Sequence, residues 1–146
     1  MTKKEVLDRI RQAKTAHKRW MSYAKALHMG IAVDKNAIPV IETDCSFGKW
    51  YYGDAQVFSK LESFKAIEEP HTMLHNKYME IYKLRKEPLK TGFFTSEKAA
   101  KRKKEAQLDV MMEQLFQISN LLMEALSHFE EDIENMSEIE VQRMVG

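Results

Sequence analysis

"QLDVMMEQLFQISNLLMEALSHFEEDIENM", residues 107–136, places Leu108, Leu115, Leu122, Phe129 and Met136 seven residues apart. Met111, Ile118 and Ala125 hold a companion row, which Asp132 interrupts and Ile139 resumes. A seven-residue apolar repeat keeps one seam of an α-helix turned toward a neighbouring helix. The segment therefore predicts one long C-terminal helix, either a bundle helix or a coiled-coil seam against a second copy. The bundle is favoured, because the other helices need a partner for stripes of their own.

Those stripes are plain. Val6, Ile10, Ala13, Trp20, Ala24, Leu27 and Ile31 recur at helical spacing, with His17 and His28 inside the same stripe. Gly30 marks the end of that helix. Asp34 or Asn36 then offers a cap and Pro39 a first turn, although Ile38, Val40 and Ile41 would equally start a strand. "FGKWYYGD" (47–54) reads as a turn, with Asp54 capping a helix through "AQVFSKLESFKAIEE". Pro70 kinks that helix or opens a new one, with Glu68 and Glu69 suited to a positive dipole end. His71, Leu74, His75, Tyr78, Ile81 and Tyr82 form the next stripe. "RKEPLKTGFFTSEK" (85–98) is a connector, broken by Pro88 and Gly92 and closed by a Thr95 or Ser96 cap. The fold class expected is all-α, a four- or five-helix bundle with a long C-terminal helix. Residues 1–90 would form the bundle proper, and 91–146 the connector and acidic helix that complete the bundle or a dimer.

Composition agrees. Five glycines and three prolines in 146 residues are few, and 44% of residues are apolar, which suits one helical domain with a sizeable core. No apolar run reaches the ~18–20 residues of a membrane span, and "MTKKEVLDRIRQ" has no secretion-signal core. A single cysteine forms no intrachain disulfide, so a reduced, cytoplasmic setting is expected. The net charge of +1 hides an asymmetry: 22 Lys+Arg against 12 Asp+Glu up to residue 104, then Arg143 alone against ten acids. The two parts would attract each other, within a bundle or between chains. The basic run "KAAKRKK" (98–104) opens a helical pattern and reads as a solvated turn rather than a nucleic-acid site. Neither nucleic acid nor membrane is an expected partner. The methionines at helical spacing (Met111, Met112, Met123, Met136) read as flexible core filler.

His71 and His75 stand four apart, which on a helix puts both imidazoles on one face, within reach of one metal ion. Zinc takes borderline nitrogen and sulfur donors, usually four in a tetrahedron. Cys45 in "DCSFGKWYYGD" (44–54) offers a thiolate, and His17 or His28 a third nitrogen. The last two lie roughly 16 Å apart along one helix and cannot share an ion. "HTMLH" lacks the glutamate of a zinc protease, and the glutamates of a di-iron bundle are missing. No nucleophile–base pair, phosphate loop or open metal site is visible, so catalytic residues are not expected and an enzyme is disfavoured.

In order, "AKTAHKRWMSYAKAL", "DCSFGKWYYGD" and "FSKLESFKAIEEPHTMLH" resemble the three blocks of the chemoreceptor zinc-binding (CZB) domain family. These are a histidine three residues before a large apolar residue, a Cys-x-x-Gly-x-Trp block, and a closing His-x-x-x-His. The resemblance covers about residues 10–85 and implies a helical bundle that holds one zinc ion (Zn2+) through His17, Cys45, His71 and His75, commonly as a homodimer. It also implies a cytoplasmic sensory role in chemotaxis or signal transduction, in which zinc or an oxidant such as hypochlorous acid acts at Cys45. His28 is not carried over and reads as a buried or helix-end histidine, and His128 as a surface residue. Trp20 and Trp50 are expected to wall the site, and Gly48 to supply a backbone conformation denied to other residues. No receptor coiled coil or cyclase domain follows, so a stand-alone member acting on a chemoreceptor or cyclase in trans is expected. The competing reading is a helical interaction protein with a purely structural zinc.

Overall fold

The structure is a computed structural model that describes residues 1–31 and 45–146. The expectations for Asp34, Asn36, Ile38, Pro39, Val40 and Ile41 lie outside the described residues. The fold is all-α. Helix α1 spans Lys3–His28, α2 Ser46–Tyr52, α3 Glu62–Lys65, α4 Glu68–Lys86, α5 Glu97–Asn135 and α6 Glu138–Val145, with a 3₁₀ turn at Asp54–Phe58 between α2 and α3.

Helix α1 starts on a capping box in which Thr2 and Glu5 satisfy each other's backbone amides. It stops where Gly30 takes a φ of 81°, a conformation that favours glycine. Its buried face is Val6, Ile10, Ala13, His17, Trp20, Met21 and Ala24. Pro70 falls in the first turn of α4, beside Glu68 and Glu69, and thus opens a new helix rather than kinking an old one. Helix α5 begins on Ser96, whose hydroxyl accepts the Ala99 amide at 3.1 Å, and its 39 residues give a rod about 58 Å long.

Helix α5 lies along both α1 and α4 of its own chain, so it needs a wider apolar face than one seam. Leu108, Leu115, Leu122 and Phe129 are buried as the repeat predicts. The companion row is different. Met111 and Ala125 are only half-buried, while a row at Met112, Ser119, Leu126 and Ile133 is buried beside the first. Of the core-filler methionines, Met112 is fully inside, and Met111, Met123 and Met136 pack against the core. The acidic end of α5 is joined to α1 by Arg11 to Glu130 (2.8 Å) and Glu134 (3.0 Å), and by Lys14 to Glu130 (2.8 Å). The charge halves therefore attract within one chain.

Three local expectations are corrected. "FGKWYY" is helical, not a turn, and the turn falls at Gly53. A Cβ there would stand 2.7 Å from the Lys49 carbonyl oxygen, so this position requires glycine. The single helix from Asp54 through Glu69 is instead the 3₁₀ turn, α3 and the start of α4, and Asp54 makes no capping bond. The reason is burial. On one straight helix Phe58 and Ile67 would face opposite ways, yet both are fully buried and Phe64 nearly so. The long C-terminal helix also stops at Asn135, because Ser137 and Glu140 form a second capping box that starts α6. That turn buries Val141 and leaves Ile139 66% exposed.

Candidate metal centre

His17 sits four turns into α1, on its buried face. Its Nδ1–H donates to the Ala13 carbonyl oxygen at 2.7 Å, which fixes the tautomer and leaves Nε2 as the free lone pair. His71 and His75 project from the first half of α4, both buried, with ring centroids 4.8 Å apart. Cys45 is the N-cap of α2, and its Sγ accepts the Gly48 amide at 3.1 Å.

These side chains converge. One potential ligand atom from each of His17, Cys45, His71 and His75 lies within 4.8 Å of all the others. Sγ of Cys45 is 3.4 Å from Nε2 of His71. A tetrahedron with zinc–sulfur near 2.3 Å and zinc–nitrogen near 2.0–2.1 Å has sulfur–nitrogen edges of about 3.6 Å, so that pair is already at ligand spacing. Nδ1 of His71 is buried without a hydrogen-bond partner among the described residues. Burial, with a smaller push from the neighbouring histidines, brings the His17 imidazole down to about 4 and that of His71 down to about 3. Both are neutral at pH 7, the form that binds metal. Three imidazoles and one thiol, all buried, make a donor set that fits a zinc ion.

The walls are aromatic. The Trp20 ring lies 5.7 Å from that of His75 and 4.9 Å from that of Tyr78. Phe47, which the sequence did not single out, packs edge-on against His17 at 5.5 Å and His71 at 5.1 Å. It follows Cys45 by two in α2, and its apolar ring beside a candidate ligand was the available signal. Trp50 packs against Phe47 with centroids 6.1 Å apart. Gly48 is a correction: it lies inside α2 and outside the left-handed region, which among the described glycines only Gly30 occupies. Its contribution is the amide donated to Cys45. A cleft of about 200 Å³ reaches His17, Cys45 and His75 from the side of Arg19 and Tyr23.

Residues 17–82 match the family model of the chemoreceptor zinc-binding domain. Over these 66 of its 146 residues the chain is similar to the CZB domain. The matched stretch opens on His17 and contains Cys45, His71 and His75, the same four residues that meet in space. Neither the curated proteins nor the solved structures contain a match to the chain. The two remaining histidines lie apart from this cluster. His28, at the end of α1, has Nε2 2.7 Å from Asp109 and Nδ1 3.0 Å from Arg85, and so joins three helices. His128 is exposed on α5.

Proposed function

We propose that this protein is a cytoplasmic zinc-binding sensor, in which His17, Cys45, His71 and His75 hold one zinc ion and the Cys45 sulfur is the responsive atom. The observation that carries this reading is the convergence of three imidazoles and one thiol in a buried site. Four protein donors would close the metal's coordination shell and leave no position for substrate or water, so the role proposed is regulatory rather than catalytic. A bound zinc would keep Cys45 as thiolate. A two-electron oxidant of the hypochlorous acid type transfers oxygen to that sulfur, giving sulfenic acid and chloride. The neutral product is a poorer ligand, and the cleft beside Arg19 gives a small oxidant a path to it. The output is proposed to pass, from a homodimer, to a chemoreceptor or cyclase in trans.

The test is metal content by native mass spectrometry on wild type and Cys45→Ala, followed by titration with hypochlorous acid. One zinc per chain that is weakened in the variant and released by oxidant supports the sensor. Zinc that survives oxidant would leave a permanent staple, and a folded protein without metal affinity would refute both.

A further inference from the structure

Residues 87–96 join α4 to α5 across the end of the bundle opposite the α1–α6 contact. Gly92 and Thr95 exchange both backbone hydrogen bonds at 3.2 Å, which closes a four-residue turn with Phe93 and Phe94 at its apex. Their side chains are 101% and 100% exposed. The two rings touch each other, centroids 5.9 Å apart and planes at 60°. Adjacent phenylalanines with no apolar cover are the strongest departure on this surface from the rule that large apolar groups are buried.

Cations surround this apex. Residues 85–104 hold eight Lys+Arg against Glu87 and Glu97. Among the described residues Lys90, Lys98, Lys101, Arg102 and Lys103 make no ion pair, whereas Glu130 and Glu134 near the far end of α5 are matched by Arg11 and Lys14. The unmatched charge thus calls for an anionic partner. The cations also sit behind the apex: at 1.5 Å per residue, Lys98 to Lys103 occupy about the first 9 Å of α5. Interfacial anchors bury apolar groups ~5–10 Å into the boundary below the headgroups while basic residues stay at the phosphates. Beside the turn, a cleft of about 420 Å³ is lined by Leu84, Leu89 and Ala100 together with Glu87, Lys90 and Lys103.

We propose that the Phe93–Phe94 turn and its flanking cations dock this protein peripherally on an anionic lipid bilayer. A bilayer can surround a protruding apex on every side, as a shallow protein surface cannot. Two rings tilted by 60° at 5.9 Å leave no slot for a nucleic-acid base between them. The sequence led to no expectation of a membrane partner, but the ground was the lack of a spanning run; no helix among the described residues is long and apolar enough to cross a membrane, which leaves peripheral docking open.

The test is co-sedimentation of the full chain with phosphatidylcholine vesicles, with and without phosphatidylglycerol. The wild type should bind the anionic vesicles at least tenfold better than the neutral ones, since each basic residue near the surface adds about fivefold. Phe93→Ser/Phe94→Ser should lower that binding roughly a hundredfold, at about tenfold per phenyl ring. The charge variant Lys101→Glu/Arg102→Glu should lower it while the phenylalanines stay in place. Circular dichroism and zinc content check that both variants are folded. Absence of binding to anionic vesicles overturns the proposal. So does binding that is indifferent to the phenylalanines, a change in oligomer mass in the serine variant, or displacement of vesicles by a single-stranded oligonucleotide.

Discussion

Replacing Cys45 by serine and by alanine separates two jobs of one side chain. Its Sγ caps α2 through the Gly48 amide at 3.1 Å and stands 3.4 Å from His71 Nε2. A serine hydroxyl accepts the same amide, whereas alanine forfeits the cap at about 1 kcal/mol, or about 2–4 °C in Tm for a chain of this size. Neither variant supplies a thiolate. A structural zinc is worth about 10–16 kcal/mol in apparent binding free energy at neutral pH. An equal share for one donor in four is about 3 kcal/mol, or roughly a hundredfold in Kd.

Urea unfolding, followed by tryptophan fluorescence with chelator and with buffered zinc, reads both jobs. With chelator, Cys45→Ser should unfold with the wild type, and Cys45→Ala about 1 kcal/mol earlier. With zinc at about a hundred times its Kd, the wild type gains about 2.7 kcal/mol. At that same zinc level the serine variant, near its own Kd, gains about 0.4 kcal/mol. Equal stabilisation of the two by zinc would take the sulfur off the metal. Equal destabilisation of the two variants in chelator would refute the cap.

Acid should weaken the metal-free protein early. The folded-state values of His17 (about 4) and His71 (about 3) lie below the ordinary 6.5, so their contribution is intact above pH 6.5 and is lost as pH falls toward 4. For His17 that is about 2 kcal/mol between pH 7 and 5, and a flat urea midpoint over this range would contradict it. Phe129, fully buried against Phe58 and Phe64, should cost about 3–5 kcal/mol as Phe129→Ala while zinc stoichiometry stays unchanged, as denaturation and metal analysis would show. In hydrogen exchange, chelation should speed the amides of α2 and leave the middle of α5 protected; uniform acceleration would mean that zinc holds the whole bundle.

Long amphipathic helices were legible because their apolar spacing repeats often enough to set a phase: the stripes of α1 and α4 and the row from Leu108 to Phe129 read correctly, while Ile31 falls past the end of α1 and is exposed, and Met136 falls past the end of α5. Local breaks were less so, since they follow from what must be buried in three dimensions. Phe58 and Ile67 look compatible with one helix until both are required inside one core. The row at Met112, Ser119, Leu126 and Ile133 was hidden because a serine interrupts it and because α5 faces two helices at once. The stop before α6 had a readable signal, the Ser137–Glu140 pair, which the continuing heptad masked. At the metal centre, histidine spacing marked α4, and the family blocks singled out His17 over His28. The sequence held no sign that Cys45 caps a helix, and for Phe47 only its place two residues after a candidate ligand.

That cap bears on how the proposed switch would act. His17, His71 and His75 belong to α1 and α4, and both helices are held by α5 through apolar rows, with ion pairs to α1 that lie away from the site. Cys45 alone comes from a helix of seven residues, well under the ~12–15 that stand unaided in water. Helix α2 is kept in place by the burial of Phe47, Trp50 and Tyr51 and by its cap. Imidazole nitrogens have no counterpart to the thiolate's oxidation to sulfenic acid. One side chain is therefore at once the most oxidisable donor and the donor on the shortest of the three ligand-bearing helices. A change in the sulfur's charge acts on both bonds together, the one to the metal and the one from the Gly48 amide. The response would fall on α2 while the three-helix frame stays as it is.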